Sequence, residues 1–469
     1  MFKNKTLIKA IYLLGLVSFL ASCESFVEVD VPNDRITGET LFTNNRSALS
    51  ALDGLYSQLF NTSFAAGGNR SVTFLSGLSG DNFEITNPIP DMIEFSENEV
   101  LPQNDYNLSL WSGAYSTIYM ANSLIQGAEN STSLDDETRN RLIGESKFIR
   151  AFTYFYLVHL YENVPLVLDT DYQINAQLAN ASPENVNAQI LIDLNDALEL
   201  TDENYPEDSR KYINSSVVRA LLARVHLYQE NWVQAEQYSS QVISSSNLYN
   251  LNEDLDDVFL INSIEALWQI SPEGWGGTFS HTREGNLFVI IFANSSPVEL
   301  SDDFMDIWEE NDLRFINWVG TFSDETRDYN FPFKYKIQFD NSGGDITEYS
   351  TVFRLAEQYL IRSEARAKQG NLSGAIEDLD QIRQRSEIDL VSETNPGLSE
   401  NELIELILTE RRKEFFAEWG HRWLDLKRTQ TVNEVLSVKK PLWNPTDIFY
   451  PIPEVERMKN PNLEQNEGY

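Results

Sequence analysis

The sequence predicts a mainly α-helical protein with a tetratricopeptide-like scaffold of helix pairs that are discontinuous along the chain. Three observations favour this fold class. Long segments place apolar residues at helical spacing; two helix pairs share the small-and-bulky spacing of tetratricopeptide repeats; and the sequence between those pairs is irregular and punctuated by glycine. We therefore expect a helical scaffold joined to a loop-rich part that contains a few short strands.

The N-terminus has the composition of a secretory signal. Three lysines precede an apolar run of eleven residues, 10–20, which is too short to cross a hydrocarbon core of about 30 Å as a helix. The tetrapeptide Leu20–Cys23 then resembles a bacterial lipobox, and Cys23 is the only cysteine. We predict a lipoprotein signal peptide over residues 1–22 and lipidation of Cys23. The alternative is an ordinary signal peptide with a cysteine beside the cleavage site.

The chain is strongly acidic, with a formal net charge of −37 over 469 residues. This charge argues against binding nucleic acid, whose phosphates need clustered Lys and Arg, and against attachment to anionic lipid through basic residues. With one cysteine the chain forms no intrachain disulfide. No stretch after residue 23 is long and apolar enough to cross a membrane. Membrane attachment is therefore predicted to depend on acyl chains carried by Cys23.

A tether over residues 23–44 is followed by a predicted N-terminal helical region over residues 45–250. Its predicted helices carry apolar residues at helical spacing over residues 47–60, 108–128, 137–161 and 183–200. The third of these is apolar most of the way round, which is typical of a buried helix. Residues 61–106 contain three prolines and a Gly-Gly pair, so they are predicted as loop with at most short pieces of structure.

Two predicted helix pairs resemble each other. In each pair a small residue lies twelve positions before an alanine: Ala223 before Ala235, and Ser363 before Ala375. A bulky apolar residue lies three positions before that alanine in both pairs. Small residues allow two antiparallel helices to cross closely, and the bulky residue fills the turn. Because the copies lie 140 residues apart, we expect repeat-like packing but no continuous solenoid.

The middle segment, residues 251–350, is predicted to be irregular and to face a ligand, because loops of this kind commonly carry binding residues. Residues 266–270 and 287–292 are predicted as strands or extended segments. Residues 351–469 return to helical spacing and are expected to complete the scaffold. Within them the pattern predicts a charged helix that runs from about residue 399 to about residue 428.

Several sequence blocks follow one another in a recognisable order. They are Trp111 to Asn122, Gly144 to Leu166, Phe353 to Ala365, Glu410 to Arg428, and Tyr450 to Pro453 with the closing Gln465 to Tyr469. In this order, behind a lipobox, the blocks resemble the SusD/RagB family of outer-membrane lipoproteins over nearly the whole mature chain. Two departures are visible: Glu467 stands where members often have proline, and the acidic residues after Cys23 are spread out rather than grouped in an export run.

The resemblance implies a nutrient-binding protein at the cell surface. Such proteins bind a glycan, and sometimes a peptide, and sit as a lid on a SusC-type TonB-dependent transporter of the outer membrane. They are not enzymes, and no cofactor is predicted. The resemblance also implies an outward-facing protein anchored in the outer membrane through acylated Cys23. A peptide-binding member of the family, a lipid-anchored glycoside hydrolase and a purely structural scaffold remain as alternatives.

The densest charge pattern is Glu410, Glu414, Glu418 and Arg422, at steps of four on one predicted helix face. Two carboxylates about 5–10 Å apart are what a glycosidase needs. However, each carboxylate here has an arginine within one helical turn, and a nearby arginine lowers the pKa of a carboxyl group, which does not suit a general acid. We therefore interpret the pattern as an ion-pair scaffold.

The histidines form no recognisable ligand set. They are His159, His226, His281 and His421, and none belongs to an HxxxH or HxH pair. No metal site is therefore predicted, and His159, within an aromatic helix, is predicted to be a packed core residue.

Recognition of a sugar needs exposed aromatic faces for its C–H groups and polar side chains for its hydroxyls. Trp275, in a glycine-rich loop, is the leading candidate platform. The other predicted ligand-binding residues are Asp81, Asn82, His281, Arg283 and Trp318. Four tryptophans at helical positions are instead predicted to lie in the core: Trp111, Trp232, Trp419 and Trp423.

Overall fold

The computed structural model describes residues 41–272, 281–340, 342 and 344–469. The predicted signal peptide, Cys23, nearly all of the predicted tether and Trp275 lie outside these residues. The described part is mainly helical with a few short strands, which confirms the predicted fold class.

Helices of six residues or more are numbered here in chain order. They are α1 (Asn45–Asn61), α2 (Val72–Ser79), α3 (Pro90–Glu97), α4 (Asp105–Asn130), α5 (Asp136–Tyr161), α6 (Pro183–Leu200), α7 (Ser215–Tyr228), α8 (Trp232–Ser244), α9 (Arg283–Phe288), α10 (Leu313–Trp318), α11 (Leu355–Lys368), α12 (Leu372–Arg385), α13 (Glu400–Glu414), α14 (His421–Arg428), α15 (Val432–Lys439) and α16 (Glu454–Lys459). Shorter helical turns span Tyr172–Asn175, Pro206–Asp208, Leu255–Asp257, Asp302–Met305, Val391–Thr394 and Pro445–Ile448.

The strands are short and form two-stranded antiparallel ladders. They are β1 (Phe83–Ile85), β2 (Val164–Pro165), β3 (Asn180–Ala181), β4 (Ala266–Ile270), β5 (Val298–Leu300), β6 (Val319–Ser323), β7 (Asp328–Pro332) and β8 (Ser350–Arg354). Within the described residues β1 pairs with β5, β2 with β3, β4 with β8, and β6 with β7. The ladder of β4 and β8 is buried along both strands and leads directly into α11, so it joins the middle segment to the scaffold.

The long helices predicted from apolar spacing are present, and their first turns show why they begin where they do. The Asn104 side chain accepts hydrogen bonds from two backbone amides of α4, and Asp135 accepts one from Thr138 of α5. Side chains of this type satisfy amides that have no partner within the helix. Ser399 and Glu402 cap α13 reciprocally.

The two predicted helix pairs are α7 with α8 and α11 with α12. The Ser363 hydroxyl donates to the carbonyl oxygen of Ala375 at 2.7 Å, so these helices cross as closely as the small residues predict. Both pairs also share one apolar cluster, which contains Ala223, Ala235 and Ala365. The pairs are therefore neighbours in space, although more than 100 residues of chain separate them, and the scaffold is stacked in three dimensions but interrupted in sequence.

Two predictions of local structure are wrong. Residues 287–292, predicted as extended, begin inside α9, because the Thr282 hydroxyl accepts a hydrogen bond from Gly285 and caps a helix there. The single helix predicted up to about residue 428 is broken into α13 and α14. At the break Trp419 and Gly420 have positive φ angles of 43° and 70°, and the Trp419 indole turns into the core and donates to Thr351.

The core prediction is confirmed for three of the four helical tryptophans. Trp111, Trp419 and Trp423 are buried, whereas Trp232 is half-buried. Within the described ranges, no helix combines the length and apolar character needed to cross a membrane.

Candidate functional site

The early loop and the middle segment meet at α9. Gly67 has a φ of +74°, and a Cβ placed on it would lie 2.1 Å from the carboxyl carbon of Glu284. The Arg283 guanidinium lies over the Phe60 ring at 5.0 Å. Asn286 donates to the carbonyl oxygen of Gln338 at 3.0 Å. These contacts join residues 60–68, 283–286 and 338. These residues, together with the segments 281–296 and 337–340 to which they belong, are called the middle face below.

Glu284 lies beneath the middle face rather than on it. Its side chain is buried and accepts a hydrogen bond from Ser350, while its Oε2 has no hydrogen-bond partner among the described residues. Burial raises the pKa of Glu284 to about 7, against the opposing effects of the Ser350 hydrogen bond and the Arg283 charge. Only a glycine at position 67 leaves room for this carboxyl group.

His281, a predicted ligand residue, lies at the rim of the same face. It is buried, and its Nε2 lies 3.7 Å from Oδ2 of Asp340. Its Nδ1 has no hydrogen-bond partner within the described part of the chain. Asp340 in turn accepts a hydrogen bond from the Ser342 amide at 2.7 Å. The Asp340 side chain is 31% exposed, so its carboxylate offers a polar group next to Phe339, whereas His281 supports it from the buried side.

Two aromatic side chains of the middle face are exposed, and the sequence analysis did not select them. Phe292 is 60% exposed and Phe339 is 45% exposed, and Ile291 beside Phe292 is 54% exposed. The Ser295 hydroxyl accepts hydrogen bonds from the amides of Ile291 and Phe292, so the loop has a defined shape. The available signal was an Ile-Ile-Phe run without helical periodicity, followed by Ala293 and then by three polar residues.

A polar cleft of about 350 Å³ lies beside the C-terminal half of α1. The rings of Tyr56 and Tyr212 meet edge to face at 5.3 Å, and the Tyr212 hydroxyl donates to Asp53 at 3.0 Å. Lys211 also lines the cleft, and so does Ser271, which lies two residues before the segment 273–280 that the structure does not describe. Trp275, the leading candidate platform, belongs to that segment, so its position relative to the cleft stays a prediction.

Asp81 and Asn82 lie in an ion-pair cluster instead of on an open surface. Asp81 accepts hydrogen bonds from Arg422 at 2.7 and 2.9 Å and from Lys439 at 2.6 Å. Burial acts to raise the pKa of Asp81, but the hydrogen bond from Arg422 and the charges of Arg412 and Arg422 hold it well below its usual range. Asn82 accepts from Arg412 at 2.8 Å. Both side chains thus have protein partners that tie β1 to the C-terminal helices.

Trp318 is fully buried. Its indole N–H donates to the carbonyl oxygen of Leu255 at 3.0 Å. The Lys334 ammonium lies 4.8 Å from the ring centroid. No ring face is left for a sugar, so the structure favours a packing role for this residue.

The carboxylates Glu410, Glu414 and Glu418 are buried, and arginines from several elements surround them. Glu414 forms ion pairs with Arg314, Arg354 and Arg385. The charges of these arginines hold the pKa of Glu414 well below its usual range in spite of burial. This confirms the ion-pair interpretation but corrects its geometry, because the partners come from α10, β8 and α12 rather than from one exposed helix. A carboxylate held ionised in this way has no proton to donate.

Three of the four histidines, His159, His226 and His421, are packed against aromatic rings. The rings of His159 and Phe155 lie 4.5 Å apart, and those of His421 and Phe415 lie 4.6 Å apart. Burial lowers the pKa of His159 to about 4, so this side chain is neutral at pH 7. Among the residues that the structure describes, no group of three or more His, Cys, Asp or Glu side chains could hold a metal ion.

The sequence is similar to those of known proteins. A family profile described as "SusD family" matches residues 321–469, and one described as "Starch-binding associating with outer membrane" matches residues 60–227. The SusD-like protein P38 of Formosa agariphila is 26% identical over the whole of this chain and 99% of its own length.

Solved structures agree with the sequence matches. A SusD superfamily protein from Bacteroides vulgatus superposes with a TM-score of 0.80 at 21% identity, and covers 92% of this chain and all of its own. A structure described as a laminarin-binding SusD-like protein gives a TM-score of 0.77 at 23% identity, and covers 91% of this chain and all of its own. The matched fold, the two profile matches and the full-length relative agree, and the chain belongs to the SusD/RagB family.

Proposed function

We propose that this protein binds an oligo- or polysaccharide on the middle face and delivers it to a SusC-type TonB-dependent transporter of the outer membrane. Two similarities support a carbohydrate ligand: the starch-binding family profile that matches residues 60–227, and the laminarin-binding protein of the same fold. The observation that carries the proposal is the exposure of Phe292 and Phe339 on a face that also holds Arg283 and His281.

The chemistry of this face suits a sugar. A pyranose ring presents C–H groups on one side, which pack on an aromatic ring, and hydroxyls at its edge, which need donors and acceptors. On the middle face Phe292 and Phe339 supply rings and Asp340 supplies a carboxylate. The separate polar cleft beside α1, lined by Asp53 and Lys211, is proposed to supply further polar groups. Trp275 belongs to the undescribed segment between the cleft and His281 and is proposed to add a further ring.

The protein is proposed to bind its ligand without cleaving it. The carboxylates considered as a glycosidase pair, on Glu410, Glu414 and Glu418, are buried and form ion pairs with arginines. Incubation with oligosaccharides and an assay for new reducing ends tests this directly. Cleavage by the wild type that disappears in Glu414→Gln would overturn the binding-only role.

The protein is also proposed to be anchored in the outer membrane through acyl chains on Cys23 and to face outward. One acyl chain holds a protein only marginally, whereas two or more give stable attachment. Metabolic labelling with palmitate and mass spectrometry of the mature N-terminus test the anchor. An unlabelled chain with Cys23 absent or unmodified contradicts it.

Retardation in native gels that contain laminarin, starch or other polysaccharides tests the ligand class. Phe292→Ala and Trp275→Ala are expected to weaken retardation, because each removes a ring that is proposed to contact the sugar. Tyr172→Ala is the control, since Tyr172 is 76% exposed but lies on a different segment. The proposed site is wrong if both variants run like wild type in a gel that retards wild type. Binding of peptides but of no polysaccharide would favour the peptide alternative.

A further inference from the structure

Two apolar grooves flank α4. One has a volume of about 510 Å³ and lies between the second half of α4, α1 and the start of the described chain at Leu41 and Phe42. The other has a volume of about 490 Å³ and lies between the first half of α4, residues 165–176 and α16. The second half of α4 also contacts residues 165–176, since Asn122 donates to the carbonyl oxygen of Val167. We call this continuous surface the α4 face.

The α4 face carries a concentration of exposed apolar side chains. Seven of the eighteen large hydrophobic residues that are exposed in the described part of the chain lie on its segments or directly beside them: Leu101, Tyr119, Leu168, Tyr172, Ile174, Val455 and Met458. Monomeric proteins rarely expose contiguous apolar patches of this kind unless the patch has a binding role.

The chemistry of the α4 face fits a protein partner. Of the 23 residues that line the two grooves, only Glu456 and Lys459 are charged, although 23% of the chain is charged. Depletion of charge together with exposed Tyr and Met is typical of the core of a protein interface. An anionic lipid surface would instead require clustered Lys and Arg. A second copy is disfavoured, because each copy carries a formal charge of −37 and the two would repel.

The path of the chain places this face near the membrane. Phe42 packs on Gly127 of α4, and its carbonyl oxygen accepts a hydrogen bond from Ser131 at 2.7 Å, so the described chain begins on the α4 face. Residues 24–40 separate this point from Cys23, and even fully extended they span only about 60 Å. If Cys23 is anchored, the point where the tether joins the α4 face therefore lies within about 60 Å of the membrane surface, within reach of a transporter that projects from it.

We propose that the α4 face is the surface on which the transporter docks, an inference that rests on the proposed function. The apolar rings of Tyr119 and Tyr172 and the side chain of Ile174 would pack against an apolar part of the transporter that projects beyond the membrane. The two grooves would receive side chains of the partner. The middle face shares α1 with this surface through Phe60, but its exposed rings, Phe292 and Phe339, lie on other segments and stay available to the ligand.

Co-purification tests the proposal with a matched pair of variants. The full-length chain carries a C-terminal affinity tag in its native host, and the transporter is identified by mass spectrometry after mild detergent extraction. Ile174→Arg and Tyr119→Arg are compared with Ile192→Arg on α6, because Ile174, Tyr119 and Ile192 are 54%, 53% and 53% exposed. The first two are expected to recover about tenfold less transporter, as for loss of a central interface residue, and Ile192→Arg as much as wild type. All three should keep wild-type retardation in polysaccharide gels.

Equal recovery of transporter by Ile174→Arg and Ile192→Arg would overturn the docking surface. Wild type that binds polysaccharide but recovers no transporter would overturn both docking and delivery, and leave ligand binding standing. A wild-type dimer that Tyr119→Arg splits would assign the face to self-association. If Tyr119→Arg makes residues 24–40 newly sensitive to protease and leaves transporter recovery unchanged, the tether itself covers the face. Either of the last two results would also overturn the proposal.

Discussion

Two regions of this molecule combine charged side chains with aromatic rings, but with opposite results. At the junction of β8, α10, α12 and α13, arginines and glutamates are buried and bind one another through several hydrogen bonds each. On the middle face, Phe292 and Phe339 are exposed, and Asp340 pairs with His281 at 3.7 Å. In the first region, called the charge junction here, the arginine and glutamate side chains are bound by one another and are not available to a ligand. The second still has rings and polar atoms that face solvent.

The difference shows that residue type alone does not identify a binding site. Arg354 and Arg283 are both arginines beside aromatic rings, but Arg354 is buried among Glu265, Glu414 and Glu418. What separates them is the number of protein partners and the exposure of the neighbouring rings. Stability and pH dependence should therefore distinguish the two regions by experiment.

The largest effect is expected from Arg354→Ala. Arg354 is 1% exposed and donates to Glu418 at 2.9 Å and to Glu265 at 3.0 Å. Its removal leaves buried carboxylates without their cation, which typically costs about 3–5 kcal/mol in the free energy of unfolding. Urea denaturation followed by circular dichroism measures this loss.

Arg327→Ala is the matched control from the middle segment. The Arg327 side chain is 48% exposed and pairs with Glu299 at 2.8 Å. Exposed pairs contribute about 0–1 kcal/mol. If Arg327→Ala lowers the free energy of unfolding as much as Arg354→Ala, the distinction between a filled and an open region does not hold.

Much of the fold could be predicted from the sequence, because strong periodicity and capping residues act locally. The buried helix α5 is present with nearly its predicted bounds, and the small residues Ser363 and Ala375 make the predicted contact. The break between α13 and α14 could not be predicted. It depends on a positive φ at Trp419 and on the burial of that indole against β8, which is a tertiary effect that outweighs helix propensity.

Less of the candidate site could be predicted from the sequence. Asp81 and Asn82 follow a glycine in an early loop, which favoured a ligand role, but their partners Arg412 and Arg422 lie more than 300 residues away. Whether a polar side chain is satisfied by the protein depends on such distant contacts. Conversely, Phe292 lies in an apolar run that was predicted only as an extended segment, and its exposure became visible only once the path of the loop was known.

Glu284→Gln tests the buried side of the middle face through pH. Burial raises the Glu284 pKa from 4.5 to about 7. Between these values the folded protein keeps a proton that the unfolded chain has lost, so this group lowers the free energy of unfolding as pH rises from about 4.5 to 7. The loss reaches about 3 kcal/mol and stays constant above pH 7. Gln keeps the hydrogen bond to Ser350 and removes the titration.

Urea denaturation at pH 5 and pH 8 measures this difference. Glu284→Gln should gain stability relative to wild type at pH 8 and resemble it at pH 5. Equal differences at both pH values would mean that Glu284 does not titrate in this range.

Asp81→Asn should show the opposite dependence on pH. Arg422, Arg412 and Lys439 hold the pKa of Asp81 below its unfolded value of 3.8. Its contribution to stability is therefore complete above about pH 4 and is lost as pH falls further through the folded pKa. At pH 7 the variant is expected to be about 2 kcal/mol less stable, as for loss of hydrogen bonds to a charged group. A difference from wild type that persists unchanged at pH 2 would contradict this account.

The smallest effect on stability, and the largest on recognition, is expected at Phe292. Because Phe292 is 60% exposed, Phe292→Ala and Phe292→Leu should change the free energy of unfolding by no more than about 0.5 kcal/mol. Ile316→Ala on α10, with Ile316 59% exposed, is the control and should also leave polysaccharide retardation unchanged.

The two Phe292 variants separate two ways in which this loop could bind. If the face of the ring packs on sugar C–H groups, leucine cannot replace it, and both variants lose retardation. If only apolar bulk matters, Phe292→Leu keeps most of the retardation and Phe292→Ala loses it. Full retardation by both variants would remove the exposed loop from the site, and the ligand contacts would then have to come from the polar cleft beside α1.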